Sequence, residues 1–310
     1  MTVSAPNKTL FITGASGFIG RSFTRKALSK GYHVTAFLRE ESSLSIAHEN
    51  LTLIDGYSLK EQGCLLEALA DEPPRALIHA AASNVFMGGL DGADTNFPDL
   101  SALRQILQLL ADINAETSMV MFGSALVYGF QGSPHKESDA TKPKTIYGAN
   151  KAMASSLGQY FRDSLSVKLT ELRLFNVYGA GDRPPRLIPY CVEAALTGEA
   201  IELTAGTQTR DFVYIDDVLR IILGVISGDI PPDIYNVATG QECAISDVVD
   251  MIVKLAEANV DVKTGSLPPR KNEYAELSGS PEQLGRLGYA PHVSLEEGLK
   301  MMIEEERSCL

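Results

Sequence analysis

The sequence predicts an α/β fold, in which a doubly wound parallel sheet is followed by a smaller C-terminal lobe. A short apolar run, TLFIT at residues 9–13, stops at a glycine-rich turn and leads into a helical pattern. Further apolar runs then alternate with amphipathic segments, as in sheets that carry helices on both faces. The chain has 310 residues, which is long enough to bury such a core.

The remaining elements of the sheet follow in chain order. The next predicted strands are HVTAFL (33–38), LTLID (51–55), ALIHAAA (76–82), SMVMFGS (118–124) and KLTELRLF (168–175). The segments between them that suit helices are CLLEALA (64–70), DLSALRQILQLLADI (99–113) and a stretch that begins near Tyr147.

The composition changes after the sixth strand. Loop-rich stretches such as GAGDRPPRLIP alternate there with helical patterns at 187–197, 215–227 and 245–258. We therefore expect a first domain at 1–172, to which the chain returns around 211–240, and a lobe formed mainly by 173–310.

Charge and cysteine content limit the class of partner. The net charge of −12 disfavours nucleic acid and anionic membranes, so an anionic ligand needs a local cluster of cations and N–H groups. Neither a signal peptide nor an apolar run of the ~20 residues needed to cross a bilayer is evident. The cysteines show no metal-ligand spacing, so we expect no metal site and a cytoplasmic protein with reduced thiols at Cys64, Cys191, Cys243 and Cys309.

The glycines of GASGFIG (14–20) lie between the first strand and the first helix. A tight turn, close approach of a pyrophosphate and close helix packing each favour glycine, and the helix N-terminus binds the phosphate. A strand–turn–helix corner can also use glycine without any ligand. In this context the pattern predicts a Rossmann-type dinucleotide site that includes Gly14, Ser16, Gly17, Phe18, Ile19 and Gly20.

The end of the second strand indicates which dinucleotide is bound. NAD-binding versions place an acid about 20 residues after the glycines to bind the ribose 2′-hydroxyl, but this chain has Leu38 followed by Arg39. A guanidinium can pair with a 2′-phosphate, and Ser42 and Ser43 can add hydroxyl donors. NADP(H) is therefore favoured. NAD(H) remains the alternative, with the neighbouring Glu40 or Glu41 on the ribose.

A proton-transfer group is predicted at YGANK (147–151). Tyr147 and Lys151 are four residues apart, so a helix brings the phenol and the ammonium to one face. A nearby cation favours the phenolate and lowers the pKa of a tyrosine. Ser124 ends the fifth strand, at the edge where open α/β sheets bind ligands, and its hydroxyl can hold the reacting oxygen.

Taken together, the motifs resemble those of extended short-chain dehydrogenases/reductases of the NAD-dependent epimerase/dehydratase family. Besides GASGFIG and YGANK, the resemblance covers IHAAA (78–82), SALVYG (124–129), LRLFNVYG (172–179), TRDFVYIDD (209–217), YNVATG (235–240) and LGYAPHVSLEEGL (287–299). It runs over nearly the whole chain and implies a dinucleotide-binding Rossmann domain with a substrate-binding lobe. It does not specify the substrate.

The resemblance also implies roles for individual residues. Ser124, Tyr147 and Lys151 match the catalytic triad, in which the tyrosine exchanges the proton and the lysine holds the nicotinamide ribose. The residues that match cofactor-lining positions are Ala80, Ala81, Ala82 and Phe175, together with Tyr147 and Lys151. Those that match contacts to a nucleotide-sugar are Ser124, Asn176, Arg210 and, more loosely, Arg270.

Three departures from the family pattern narrow the reaction. The Asp-Glu pair of 4,6-dehydratases is replaced by Ala125 and Leu126, so dehydration is not expected. The aspartate that usually contacts adenine is replaced by Tyr57, which leaves Asp55 or another residue for that contact. The Leu38-Arg39 ending suits a reductase that draws on NADPH better than an epimerase that retains NAD.

We therefore expect an NADPH-dependent reductase of a nucleoside-diphosphate 4-keto-6-deoxy sugar, in deoxysugar biosynthesis. The alternatives are an NAD-dependent nucleotide-sugar 4-epimerase, a reductase of a non-sugar carbonyl, and a catalytically silent cofactor-sensing regulator. The resemblance also implies a homodimer through the helices at 99–113 and 147–163. Core burial is an equal explanation for their apolar residues, which include Leu103, Ile106, Leu107, Leu110, Met153, Leu157 and Phe161.

Overall fold

The computed structural model describes residues 7–82, 98–269 and 274–309. The chain forms two compact units. The first comprises Met1–Gly123, Ala149–Leu172 and Ile221–Ile234, and the second comprises Ser124–Gly148, Arg173–Arg220 and Tyr235–Leu310. The expected division into a nucleotide-binding domain and a substrate-binding lobe remains a prediction, because compactness does not assign a function.

Alternating strands and helices make up the chain as far as the sixth strand. In order they are β1 (Thr9–Thr13), α1 (Phe18–Ser29), β2 (His33–Phe37), β3 (Leu51–Ile54), α2 (Gly63–Asp71), β4 (Ala76–His79), α3 (Pro98–Asp112), β5 (Ser118–Ser124), α4 (Ile146–Leu165) and β6 (Leu169–Leu174). A short 3₁₀ turn at Ala125–Val127 follows β5 directly.

Shorter strands and further helices follow β6. They are β7 (Asn176–Tyr178), α5 (Leu187–Thr197), β8 (Ile201–Leu203), β9 (Thr209–Arg210), β10 (Phe212–Tyr214), α6 (Ile215–Ser227), β11 (Ile234–Val237), β12 (Cys243–Ala244), α7 (Ile245–Leu255), β13 (Val262–Thr264), α8 (Glu282–Arg286) and α9 (Leu295–Arg307).

The largest sheet among the described residues has seven strands in the order β11-β6-β5-β4-β1-β2-β3. Strand β1 pairs in parallel with β2 and β4, and the pairs β2–β3 and β4–β5 are also parallel. The strand order reverses between β1 and β4, the point at which doubly wound sheets bind their ligands. The predicted α/β fold class is confirmed.

The predicted elements agree closely with the observed ones, and the differences are local. Strand β5 and helices α5 and α6 have the predicted bounds. The fourth strand ends at His79, three residues before the alanine run ends. Strand β11 was not predicted as a strand, since its four residues do not stand out from the surrounding pattern.

The apolar face of α3 lies in the core of the first unit. Leu103, Ile106, Leu107 and Leu110 are buried there beside Leu65 and Leu69 of α2. Phe161 of α4 belongs to the same cluster, whereas Met153 and Tyr160 are 37% and 56% exposed. Core burial therefore accounts for most of the apolar pattern on which the expected homodimer depended. Among the described helices, none combines the length and the apolar character that crossing a bilayer requires.

Candidate active site

The turn between β1 and α1 has no room for a side chain at two of its glycines. Gly14 has a φ of +69°, and a Cβ there would lie 2.5 Å from the carbonyl carbon of Ala80. A Cβ at Gly20 would lie 2.2 Å from the carbonyl oxygen of Gly14. Gly17 is the N-cap of α1, whose first turn carries no acidic residue. The turn therefore fits a pyrophosphate, which the N–H groups of a helix N-terminus suit.

A buried hydrogen bond joins the ends of β1 and β4 next to this turn. Thr13 Oγ1 lies 2.9 Å from His79 Nδ1, and it also accepts the N–H of Ala81 at 3.3 Å. Burial, followed by the nearby Lys151 cation, lowers the pKa of His79 to about 4. The imidazole is therefore neutral at neutral pH. Although His79 lies within the IHAAA motif, the sequence does not reveal its pairing with Thr13, which depends on the β1–β4 register.

The end of β2 lacks an acid that could bind a ribose. Leu38 is only 3% exposed, its N–H donates to the carbonyl oxygen of Ile54, and its own carbonyl oxygen accepts the N–H of Tyr57. Arg39 is the exposed residue that follows. Its carbonyl oxygen accepts the N–H of Ser42 at 2.8 Å, which closes a turn.

The other candidate cofactor contacts near the end of β2 are exposed or half-buried, except for the buried Tyr57. Ser43, Glu40 and Glu41 are exposed and Ser42 is half-buried. Tyr57 is 2% exposed and packs edge-to-face on Phe37. The tyrosine thus belongs to the core. Asp55, which is exposed, remains available for the adenine contact.

Ser124 is held in one orientation by the turn that follows it. Its Oγ accepts the N–H of Leu126 at 3.2 Å, which starts the 3₁₀ turn. The carbonyl oxygen of Leu126 in turn accepts a long hydrogen bond of 3.5 Å from the Tyr274 hydroxyl. This hydrogen bond uses only an acceptor lone pair of Ser124, so the hydroxyl keeps its proton as a donor. The serine can therefore donate to a carbonyl oxygen of a substrate.

The start of α4 packs tightly on the same 3₁₀ turn. Thr145 caps the helix, since its Oγ1 accepts the N–H of Gly148 at 3.0 Å. A Cβ at Gly148 would lie 2.6 Å from the carbonyl oxygen of Leu126, so only glycine allows this approach. Tyr147 lies between the cap and this contact. The capping threonine and the packing glycine were not identified from the sequence.

Lys151 lies one turn further along α4. Its Nζ donates to the carbonyl oxygen of Phe122 in β5 at 2.8 Å. Tyr147 and Lys151 are both half-buried, and the continuous helix confirms that they occupy successive turns. Their chemical roles remain predictions.

Two of the residues that match substrate contacts, Asn176 and Arg210, lie next to Asp211. The side-chain amide of Asn176 donates to the carbonyl oxygen of Asp211 at 3.0 Å, and Arg210 immediately precedes that residue. Phe175 is 7% exposed. Arg270 lies outside the described residues.

Residues 10–238 match the model of the NAD dependent epimerase/dehydratase family. The chain belongs to this family. The family is of the extended short-chain dehydrogenase/reductase type, and its members modify nucleotide sugars. The resemblance stated on sequence motifs is therefore confirmed.

Curated relatives match most of the chain. CDP-abequose synthase of Salmonella muenchen is 24% identical over 304 residues, which cover 96% of this chain and 97% of that protein. UDP-glucuronate 4-epimerase 2 of Arabidopsis thaliana is 22% identical over 329 residues, which cover 95% of this chain and 75% of that protein.

Solved structures share the fold. UDP-glucose 4-epimerase from Thermotoga maritima has a TM-score of 0.87 at 23% identity and covers 97% of this chain and 99% of its own. MoeE5 in complex with UDP-glucuronic acid and NAD has a TM-score of 0.84 at 28% identity. The match covers 97% of this chain and 100% of the MoeE5 chain.

The neutral state of His79 predicts a pH dependence of stability. Its pKa in the folded protein is about 4, below the value of about 6.5 for an unfolded chain. The unfolded state therefore binds more protons between these values, and stability falls as the pH drops from about 6.5 to 4. The shift corresponds to roughly 3 kcal/mol.

Urea unfolding of His79→Asn and of the parent protein across this range measures the effect. We expect the variant to lose much of the pH slope, whatever its absolute stability. His33→Gln is the matched control, because His33 is exposed on β2 and should leave the slope unchanged. An unaltered slope in His79→Asn would contradict the prediction.

Proposed function

We propose that the protein is an NADPH-dependent reductase of a nucleoside-diphosphate 4-keto-6-deoxy sugar. The observation that carries the proposal is the end of β2, where Leu38 is buried and Arg39 is exposed. A leucine cannot accept the hydrogen bond of a ribose 2′-hydroxyl, whereas a guanidinium can pair with a 2′-phosphate. Ser42 and Ser43 on the same turn add hydroxyl donors.

In this proposal the catalytic residues act on the keto oxygen. Bound NADPH supplies the hydride that reaches the keto carbon. Ser124 donates a hydrogen bond to the oxygen, and Tyr147 transfers a proton to it, so that the carbonyl becomes an alcohol. The phenolate that remains regains its proton from solvent, and Lys151 would hold the nicotinamide ribose. The first unit would hold the cofactor through its glycine turn, and the second would hold the sugar.

The substrate class is supported by the residues near Asp211 and by the relatives. Arg210 would pair with a diphosphate and Asn176 would contact the sugar, which lets a chain of net charge −12 bind an anion locally. The name of the CDP-abequose synthase relative gives a CDP-linked sugar as a product.

Dehydration is not part of the proposal. The two positions that follow Ser124 carry Ala125, which is buried, and Leu126. Neither side chain can accept or donate a proton, so the 3₁₀ turn has no acid–base pair for the elimination of water.

A nucleotide-sugar 4-epimerase is the second candidate. Glu40 and Glu41 are exposed on the turn that Arg39 begins, and either carboxylate can accept the ribose hydrogen bond of NAD. Several relatives are named as 4-epimerases. This candidate predicts NAD that co-purifies with the protein and product formation without added cofactor.

We also propose a homodimer through α3 and α4. The exposed Met153 and Tyr160 on α4 offer an apolar contact, although most of the apolar residues of these helices lie in the core of the first unit. Light scattering of the purified protein measures the oligomeric state.

The proposed reaction is tested with a panel of 4-keto-6-deoxy nucleotide-sugars. The protein is incubated with each sugar and NADPH or NADH, while absorbance at the nicotinamide band and product configuration are followed. Consumption of NADPH with formation of the 4-hydroxy product is expected. Sugar interconversion without net NADPH consumption would instead identify an epimerase.

Loss of the Tyr147 hydroxyl should abolish proton transfer. We expect Tyr147→Phe to lower kcat by roughly 10²–10⁴-fold, with the Kd for NADPH nearly unchanged because the ring remains. Tyr160→Phe is the matched control, since Tyr160 lies exposed on the same helix. Near-normal turnover in Tyr147→Phe would contradict the catalytic assignment.

Replacement of Arg39 tests the cofactor preference separately. Arg39→Asp removes a cation from the expected 2′-phosphate site and introduces an acceptor for a ribose hydroxyl. We expect the ratio of kcat/KM for NADPH to that for NADH to fall by about tenfold or more, as the loss of a charged hydrogen bond implies. Arg25→Asp, at an exposed position on α1, controls for the change in net charge. An equal NADPH to NADH ratio of kcat/KM in Arg39→Asp and Arg25→Asp would contradict a role of Arg39 in cofactor preference.

A further inference from the structure

The corner between β9 and β10 is formed by a single buried residue, Asp211. On one side, β9 pairs antiparallel with β12, with Arg210 opposite Cys243. On the other side, β10 pairs in parallel with β7, with Phe212 opposite Asn176. The chain thus changes its pairing partner at Asp211, which is 0% exposed.

The carboxylate of Asp211 accepts hydrogen bonds from two separate segments. Oδ1 accepts the N–H of Thr239 at 2.9 Å and its hydroxyl at 2.7 Å. Oδ2 accepts the N–H of Gly240 at 2.9 Å and the N–H of Gly279 at 3.3 Å. These donors come from the backbone and from a hydroxyl. Both oxygens accept hydrogen bonds, so the carboxylate holds the two loops against β9 and β10. Burial raises the pKa of Asp211, and these hydrogen bonds oppose that rise.

The backbone of Asp211 binds the residues proposed to contact the substrate. Its carbonyl oxygen accepts both the backbone N–H of Asn176 at 3.1 Å and the side-chain amide of Asn176 at 3.0 Å. The side chain of Asn176 is therefore oriented by Asp211. Arg210 is joined to Asp211 by a peptide bond.

Phe175 contacts the loop that Asp211 holds. A Cβ on Gly279 would lie 2.4 Å from the ring of Phe175, so the aromatic side chain packs directly on the glycine backbone. The N–H of that glycine is one of the donors to Asp211. Gly279 thus lies between the ring of Phe175 and the carboxylate of Asp211.

Glu242 supports the other side of Arg210. Its carboxylate accepts the hydroxyl of Ser278 at 2.6 Å and that of Thr209 at 2.8 Å. It therefore ties β9 to the segment before Gly279, and hydrogen bonding by Ser278, with the charge of Arg210 among the further causes, lowers the pKa of Glu242. Arg210 thus lies between Thr209, whose hydroxyl donates to Glu242, and Asp211, whose carboxylate binds the loops at Thr239 and Gly279.

From this geometry we infer that Asp211 is a positioning residue for the nucleotide-sugar, which sets the places of Arg210 and Asn176 without touching the substrate. The inference rests on the proposed function, because those two residues are the proposed substrate contacts. It implies that loss of the Asp211 charge weakens binding of the nucleoside diphosphate and leaves binding of NADPH largely intact.

The test compares Asp211→Asn with Asp217→Asn. Asp217 is also buried, at 1% exposure, and it accepts the N–H groups of His292 and Val293 at 2.9 Å each. Both variants replace one oxygen by an NH₂ group that faces hydrogen-bond donors, which at Asp217 include the Arg220 guanidinium, so both should lose stability. Only Asp211 binds the segments that carry the proposed substrate contacts.

The measurements are calorimetric Kd values for NADPH and for UDP, dTDP, CDP and GDP, with thermal unfolding of each variant. We expect the Kd of the preferred nucleoside diphosphate to rise by about tenfold or more in Asp211→Asn. The Kd for NADPH should stay within about twofold. Asp217→Asn should keep both affinities at an equal or larger loss of Tm.

The outcomes separate the inference from the proposed function. If the wild-type protein binds none of the nucleoside diphosphates, the proposed substrate class is wrong. If it binds one, and Asp211→Asn and Asp217→Asn affect that binding equally, the positioning role is wrong.

A milder pair of variants keeps the test valid if Asp211→Asn does not fold. Thr239→Val removes the hydroxyl donor to Oδ1, and Thr239→Ser keeps it. We expect the valine variant to raise the nucleoside-diphosphate Kd several-fold and the serine variant to leave it near the wild-type value. Equal Kd values in the two variants would overturn the inference.

Discussion

The close contact between Gly14 and the backbone of Ala80 is the constraint on which the end of the sheet at β1 and β4 depends. A Cβ at Gly14 would lie within 2.5 Å of that backbone, which no rotamer could relieve. Strands β1 and β4 can therefore end side by side only if the chain turns at a glycine with positive φ. The Thr13–His79 hydrogen bond then holds the two ends in register. The glycine pattern is thus a requirement of the strand geometry as well as of a phosphate ligand.

In the second unit, polar side chains hold the backbone of the loops in place. Buried N–H groups in its loops need hydrogen-bond acceptors. Asp211 supplies these acceptors at the corner of β9 and β10, and Thr145 supplies one at the start of α4. An N–H group left without such an acceptor costs about 1–3 kcal/mol. Asn176 is bonded to the backbone carbonyl of Asp211, and Tyr147 lies in the helical turn that Thr145 caps.

The sequence predicted the elements of the sheet and the residues with a direct chemical signature, because these follow from local periodicity and spacing. Helices α5 and α6 and strand β5 needed no knowledge of distant contacts. The supporting residues are different. His79 pairs with Thr13 across 66 positions of the sequence, and Asp211 binds Gly279 across 68. Such pairs depend on strand register and loop packing, which no local pattern specifies. For the same reason, the sequence showed Tyr57 only as a replacement for the aspartate that usually contacts adenine. Its burial shows that it is a core residue.

The choice between reduction and epimerisation depends on a part of the chain that does no chemistry. Serine, tyrosine and lysine in the proposed roles can serve either reaction, since each moves a hydride and a proton at one carbon of the sugar. What differs is whether the dinucleotide leaves after each turnover, and we propose that its ribose is bound at the end of β2. There Leu38 is anchored in the core and hydrogen-bonded to β3 through its backbone. An acid at that position would have to enter the core. Binding of the 2′-position is therefore left to the exposed turn that begins at Arg39, where a cation and two glutamates are neighbours. The substituent that this turn prefers, phosphate or hydroxyl, separates the two proposed reactions.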